Sequence, residues 1–396
     1  MPFVTKILFA TREQELLLQA ALLEGDKAIS AWQKYKKKVA LEGHHENGSY
    51  RLFPLLYRNL QRNNIEDPFM HRLKGIYRQA WYKNQRLFYD ISKILSSLHD
   101  ERVRTMILKG AALTILHYKN YAVRPMADVD VMVHTSEALL AVDVLKRLGW
   151  KPTTDLTEAD LLYRHSGQFI DNSGKEVDLH WHLLYDSCWD GCDDDFWDGA
   201  VPLTLGGVPT LAANPADMLL NVIVHGVKWN PEPAIRWIAD AITLINSSDP
   251  GIDWGRLISQ AKKHRVVLHL KKALNYLKDI YRPHIPSAYM KTINSIHTSP
   301  MEFLEYQYVT RNLYPGSHTT PIHQMINFCL SYFFRYRRLC LNKGSVKGFS
   351  ITDLFNYILY REKKKNAHDL IISLASRGMR NTKRSLLSAL KVHDAN

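Results

Sequence analysis

Apolar and polar residues follow three successive rhythms along this chain. To about residue 100 the period is helical. LLLQAALLEG, ISAWQKYKKKVAL and a long stretch from Pro68 to His99 repeat apolar residues every three or four positions. In the long stretch Phe69, Leu73, Ile76 and Tyr77 lead on to Ala80, Tyr82, Leu87, Ile91, Ile94, Leu95 and Leu98. Its Tyr-, Arg- and Lys-rich face could serve RNA, but an amphipathic helix packed on its neighbours accounts for it more simply. Between about 101 and 210 the rhythm changes. MILKG predicts a short buried strand ending at a glycine, AALTILHY a helix behind it, and ADVDVMV alternates strictly. SEALLAVDVLKRLG predicts a helix closed by Gly149. GQFIDNSGKEVDLHWHLL holds two alternating runs joined by Asn172-Ser173-Gly174, which signals a hairpin. From about Pro215 the helical period returns in ADMLLNVIVHGVK, AIRWIADAITLI and WGRLISQAKKHRVVLHLKKALNYLKDI. The expected fold class is α+β. A small mixed-sheet core over 101–210 is flanked by helical regions at 1–100 and 211–330, with a basic helical tail at 331–396.

Composition narrows the class. Hydrophobic residues make up 46% of 396 and charged residues 23%, which excludes a disordered, collagen-like or coiled-coil chain. Four cysteines are too few for a disulfide framework and point to a reducing compartment. The apolar patch in MPFVTKILFATREQELLLQAALLEG is broken by charge, and the run from Phe328 to Phe334 is too short for a bilayer. A cytoplasmic protein without a membrane span is the expectation. The net charge of +13 is unevenly spread. Residues 331–396 carry 14 basic and 4 acidic residues, a net of +10. The stretch from Tyr185 to Ala200 carries Asp186, Asp190, Asp193, Asp194, Asp195 and Asp198 without a Lys or Arg.

The chemistry concentrates in the middle zone. In Asp128-Val129-Asp130-Val131 alternation puts both carboxylates on one strand face and both valines in the core. Two carboxylates so spaced suit Mg²⁺ shared with a polyphosphate, because that cation takes hard oxygen ligands. The run around Asp178 repeats the design, with Asp178, His180 and His182 on one face and Val177, Leu179, Trp181 and Leu183 on the other. If the strands are neighbours, Asp178 is a third carboxylate in the same space. Upstream, Gly110 stands between strand and helix, where a glycine lets the backbone approach a phosphate, and Lys109 adds a charge. The same Lys109-Gly110 pair also fits a plain strand-to-helix turn. Arg124 could clamp a triphosphate or pair with Asp128. His180 and His182 beside Asp178 could instead hold zinc with a further ligand, which Cys188 or Cys192 could supply. Those two cysteines could equally form a local disulfide or be inert. His225 and Lys228, one helical turn apart, could face a nucleotide, and Arg236 and Asp240 are spaced as a helix-surface ion pair.

The order of Lys-Gly-helix, Arg-Pro-Met-x-Asp-x-Asp, a helix ending in Leu-Gly-Trp, and a hairpin with Val-Asp-Leu-His-Trp resembles an uncharacterised bacterial nucleotidyltransferase family of the polymerase-β-like superfamily. RLFPLLYRNL and YRQAWYKNQRLFYDISKIL resemble its helical N-terminal part, and AIRWIADAITLI with IDWGRL its C-terminal part, so the likeness covers roughly residues 15 to 280. The resemblance implies a metal-dependent enzyme that moves an NMP from an NTP, ATP above all, to a hydroxyl acceptor with release of pyrophosphate. It implies two Mg²⁺ ions, or Mn²⁺ in their place, on Asp128, Asp130 and Asp178, with Lys109, Gly110 and Arg124 on the nucleotide. The acceptor could be a small molecule, a protein or an RNA. The superfamily's usual turn is Gly-Ser or Gly-Gly; here Gly110-Ala111 follows Lys109, which removes a hydroxyl contact to phosphate. The competing function is an inactive nucleotidyltransferase fold that scaffolds RNA or an acidic partner.

The tail has two readings. It could recruit an anionic acceptor such as RNA, or dock on its own acidic 186–198 run. Phe349, Ile351, Leu354, Phe355, Ile358 and Leu359 form an apolar stripe that calls for a packing partner. Truncation after about residue 330 is therefore expected to lower the melting temperature and leave RNA affinity unchanged. Unchanged stability with loss of salt-sensitive RNA binding would assign the tail to nucleic acid.

Overall fold

The computed structural model describes residues 9–39, 47–185, 187–227, 235–247, 251–311, 321–342, 350–373 and 376. It divides into two compact units, Met1–Glu302 and Phe303–Asn396. The first is built on one mixed sheet with strand order β3-β4-β5-β2-β1-β7-β6. The strands are β1 (Thr105–Ile107), β2 (Asp130–Val133), β3 (Lys151–Pro152), β4 (Ser166–Ile170), β5 (Glu176–His180), β6 (Val201–Leu205) and β7 (Val208–Ala212). β2 runs antiparallel to β1 and parallel to β5, and β1 runs parallel to β7. Every residue of β1 and β2 is buried, as expected of central strands covered on both faces.

The β4–β5 hairpin forms where its turn chemistry points. Asp171 accepts from the backbone N–H groups of Ser173 and Lys175 at 2.8 and 2.9 Å, and Gly174 takes φ +81°. The β6–β7 hairpin was missed, although its signal is present. Val201-Pro-Leu-Thr-Leu alternates, and Gly206-Gly207 supplies the two positive φ angles, +56° and +85°, of a two-residue hairpin turn.

The helix Met70–Asp100 packs against β1, β7 and the helix Ala138–Arg147. Its buried face is Leu73, Ala80, Asn84, Phe88, Ile91, Ser92, Ile94, Leu95 and Leu98. That stripe differs from the expected one. Phe88 rather than Leu87 faces in, and Tyr82 lies in solvent with Trp81 and Tyr89. A buried asparagine completes it, which no apolar count could suggest. On the other side the helix Pro215–Val227 packs against Arg236–Ser247, Trp254–Lys263 and Val267–Tyr281, and touches the short helix Lys109–Leu113 that follows β1.

In the second unit the helix Pro321–Asn342 runs through residue 331, where the excess of basic charge begins. Arg338 pairs with Glu305 in a buried contact, and Tyr357 of the helix Ile351–Arg361 packs on Tyr332 and Tyr336. Of the apolar stripe, Ile351 and Phe355 lie exposed, and Phe349 falls outside the described residues.

Gly226 shows how closely the helices meet. A Cβ there would lie 2.1–2.5 Å from atoms of the Trp237 side chain. Gly226→Ala is expected to destabilise the first unit by about 1–3 kcal/mol through overpacking, read as a lower urea midpoint at unchanged m-value.

Candidate active site

The site grows from one register fact. β2 and β5 are parallel neighbours with Asp130 directly opposite Asp178. Asp128 lies two residues before β2, which begins at Asp130; it is half-buried, while Val129 and Val131 enter the core as alternation requires. Pairing with β5 continues into this approach, since Asp178 N–H donates to Val129 O at 3.1 Å. Three aspartates therefore share one end of the β2–β5 ladder.

Two cationic or donor groups meet Asp130. Lys109 Nζ lies 2.6 Å and His180 Nε2 2.9 Å from the same oxygen, Oδ1. Burial opposes the charged form of Asp130, but Lys109 and the hydrogen bond from His180 outweigh it and hold the carboxyl well below the usual range. Asp178 is treated oppositely. Burial, and then repulsion from Asp130, push it up to about 6. Its Oδ1 is buried without a hydrogen-bond partner among the described residues. A buried carboxylate oxygen left orphaned beside a second carboxylate is the arrangement that a divalent cation relieves. Asp130, Asp178 and His180 offer one donor atom each within 4.8 Å of one another. The donor set thus fits a hard cation on the two carboxylates, with His180 holding Asp130 by hydrogen bond.

Lys109 takes φ +43°, an uncommon conformation for a residue with a side chain, at the sharp turn out of β1. Gly110 is required for a different contact from the one its sequence suggests. A Cβ there would lie 2.2 Å from Arg124 Nη1 and 2.8 Å from Met126 Sδ. Arg124 is buried, and its Nε and Nη2 donate to Asp240 at 2.9 and 2.8 Å, leaving Nη1 over Gly110. It does not pair with Asp128. Asp240 belongs to no surface ion pair: it is buried, bound to Arg124, and accepts from Tyr118 Oη at 2.9 Å. Arg236 instead donates to Pro125 O at 2.8 Å, and burial together with nearby Arg124 lowers its pKa to about 10.

Sequence reasoning missed the supports of the 121–128 loop. Asn84 donates to Tyr121 O and Arg124 O at 2.6 and 2.9 Å and accepts from Met126 N–H at 3.2 Å. A polar residue on an otherwise apolar helical stripe was the only available signal. His182 does not join the aspartates. The strand ends at His180 because Trp181 N–H and His182 N–H both donate to His165 O, at 2.9 and 3.2 Å. Two consecutive donors on one carbonyl break the alternation, as at a bulge, and turn His182 toward Asp193. Cys188 and Cys192 are buried free thiols and form no disulfide. His225 is exposed on its helix, and Lys228 lies outside the described residues.

Residues 49–282, more than half the chain and the whole sheet, match the model of the uncharacterised nucleotidyltransferase family. The chain belongs to that family of nucleotidyltransferases. No curated protein matches it. Among solved structures, the solution structure of the antibiotic-resistance factor ANT(2'')-Ia is 13% identical over 49% of this chain and 98% of that chain, with a TM-score of 0.32. The crystal structure of an antigenic nucleotidyltransferase-like protein from Paracoccidioides brasiliensis is 17% identical over 57% and 97%, with a TM-score of 0.34. Among the described residues no helix is long and apolar enough to cross a membrane.

The raised carboxyl of Asp178 makes a testable contribution to stability. In metal-free protein its folded pKa of about 6 exceeds the unfolded value of 3.8, so the native state binds the extra proton between these limits. Its contribution therefore falls as pH rises from about 4 to 6. Buried His117, lowered to about 4, acts in the opposite direction over the same range. The informative quantity is the melting temperature of Asp178→Asn minus that of the wild type in EDTA. It should increase from pH 4.5 to pH 7; a flat difference would contradict the raised carboxyl.

Proposed function

We propose that this protein transfers a nucleoside monophosphate from an NTP, most simply ATP, to a hydroxyl acceptor and releases pyrophosphate. In this reading it works as a polymerase-β-like nucleotidyltransferase with Mg²⁺, or Mn²⁺ in its place. The observation that carries it is the parallel β2–β5 register, which sets Asp130 opposite Asp178 with a buried, unpartnered oxygen on the second. Asp128, Asp130 and Asp178 would hold the ions. When bound, they supply charge neutralisation for the polyphosphate and lower the pKa of the acceptor hydroxyl.

The chain's own residues do the rest. Lys109 Nζ, 2.6 Å from Asp130, is held where a triphosphate lying over the carboxylates would meet it. Arg124 Nη1 over Gly110 offers a second donor on the same side, in a guanidinium whose other nitrogens are fixed by Asp240. The acceptor oxygen attacks the α-phosphorus and the bond to the bridging α–β oxygen breaks. Pyrophosphate leaves, and Asp178, the third carboxylate at the end of the ladder, takes the hydroxyl proton. His180 holds Asp130 in orientation through its Nε2 contact.

The test is incubation of protein, Mg²⁺, each NTP and cell extract, with pyrophosphate release and +NMP adducts followed by mass spectrometry. Asp130→Asn should leave the fold intact and lower turnover roughly a thousandfold or more, since an ion contributes several kcal/mol to the barrier. Unchanged turnover in that variant would remove Asp130 from the site. Silence of the wild type with every NTP would favour the non-catalytic scaffold.

A further inference from the structure

A second cluster of metal-ligating side chains lies beyond the end of β5, apart from the aspartates. His182, Cys192 and Asp193 are each buried and meet at three atoms. His182 Nδ1 lies 2.7 Å from Asp193 Oδ2, Cys192 Sγ 2.9 Å from the same oxygen, and Cys192 Sγ 3.2 Å from His182 Nδ1. A cation about 1 Å above the plane of these donors stands roughly 2 Å from each, close to the Zn–N, Zn–O and Zn–S bond lengths of about 2.0–2.3 Å.

The surroundings of the donors point the same way. His182 Nε2 faces Leu161 O at 3.3 Å, and Leu183 N–H donates to Asp193 Oδ1 at 2.9 Å. Metal-binding histidines are held in this manner, with the far ring nitrogen donating to a carbonyl so that the near one presents its lone pair. The three donor atoms thus face one another in a buried place, and Cys192 Sγ also lies 3.1 Å from Ser187 O.

We propose that His182, Cys192 and Asp193 form a structural zinc site that pins the loop 182–193 to the end of the strand carrying Asp178 and His180. Binding converts the thiol to a thiolate bonded to zinc and leaves His182 protonated at Nε2 alone, facing Leu161 O; the thiol proton, and any second proton on the ring, pass to solvent. The mixed sulfur and nitrogen set selects zinc, whereas the all-carboxylate end of the β2–β5 ladder suits Mg²⁺. The site does not depend on nucleotidyl transfer.

The test measures zinc in the full-length protein by mass spectrometry after dialysis against excess Mg²⁺. Roughly one zinc per chain is expected. It should persist in Asp130→Asn and Asp178→Asn and be lost in Cys192→Ser. Replacement by Co²⁺ should give a thiolate-to-cobalt charge-transfer band in the near ultraviolet. That band should survive in the Cys329→Ser/Cys340→Ser double variant, which keeps the readout available if Cys192→Ser fails to fold. A wild type without zinc that gives no such band on Co²⁺ titration would overturn the proposal and leave a hydrogen-bonded ion pair. Zinc retained in Cys192→Ser, or lost in Asp130→Asn, would overturn it as well.

Discussion

Two carboxylates on neighbouring parallel strands, Asp130 and Asp178, set the terms for the middle of this protein. Like charges brought together in a partly dry place are unfavourable unless cations or donors meet them or one group takes up a proton. Both solutions are in use. Asp130 is ionised against Lys109 and His180, and Asp178 is driven toward neutrality by burial and by Asp130 itself. The arrangement stores an unmet demand for positive charge, expressed in the unpartnered Asp178 oxygen. A structure that merely needed stability would not retain it, since an isolated buried carboxylate costs more than an apolar side chain of the same size.

The charges around this pair are held by a layer of fixed polar contacts. Lys109 reaches Asp130 from the turn after β1, at a positive φ that the following helix and Gly110 make possible. Gly110 is small because the Arg124 guanidinium lies against it, and Arg124 is rigid because Asp240 grips it with two hydrogen bonds. Arg236, on the same helix as Asp240, and Asn84, on the helix Met70–Asp100, tie the same loop at Pro125 O and at Tyr121 O and Arg124 O. The loop that delivers Asp128 is thus fastened at four points, and helices more than a hundred residues apart in sequence share the task. That is how a site on a short strand end obtains the preorganisation that charge stabilisation requires.

Beyond the sheet edge of the site, the chain turns from strand to loop at Trp181, where two backbone donors fall on one carbonyl. That local break separates two chemistries that are adjacent in sequence. Asp178 and His180 stay with the hard, oxygen-rich end of the ladder. His182, two residues on, enters the sulfur- and nitrogen-bearing cluster of the acidic loop. The loop's negative charge is met by the helix Trp254–Lys263, where Lys263 lies 2.6 Å from Asp195 and Arg256 donates to the Asp195 carbonyl. The helical C-terminal part therefore holds the loop that follows β5.

Much of this was legible in the residues alone, and the boundary is physical. Period-2 alternation in ADVDVMV and in the run around Asp178 marked the strands, and the Asn172-Ser173-Gly174 turn marked the β4–β5 hairpin, because these are local properties of backbone and side chain. The likeness of the Lys-Gly and Asp-x-Asp elements to nucleotidyltransferases could be read in the same way. Strand neighbourhood could not: Asp178 opposite Asp130 is a parallel pairing across nearly fifty residues, and no local signal states its register. The same holds for Arg124 and Asp240, whose partnership depends on a helix returning to the loop, and for Asn84, whose value lies in carbonyls from another segment. His182 shows the limit most sharply. Alternation assigns it to the face of Asp178, yet the fold decides otherwise, because hydrogen bonding to His165 ends the strand two residues short of it.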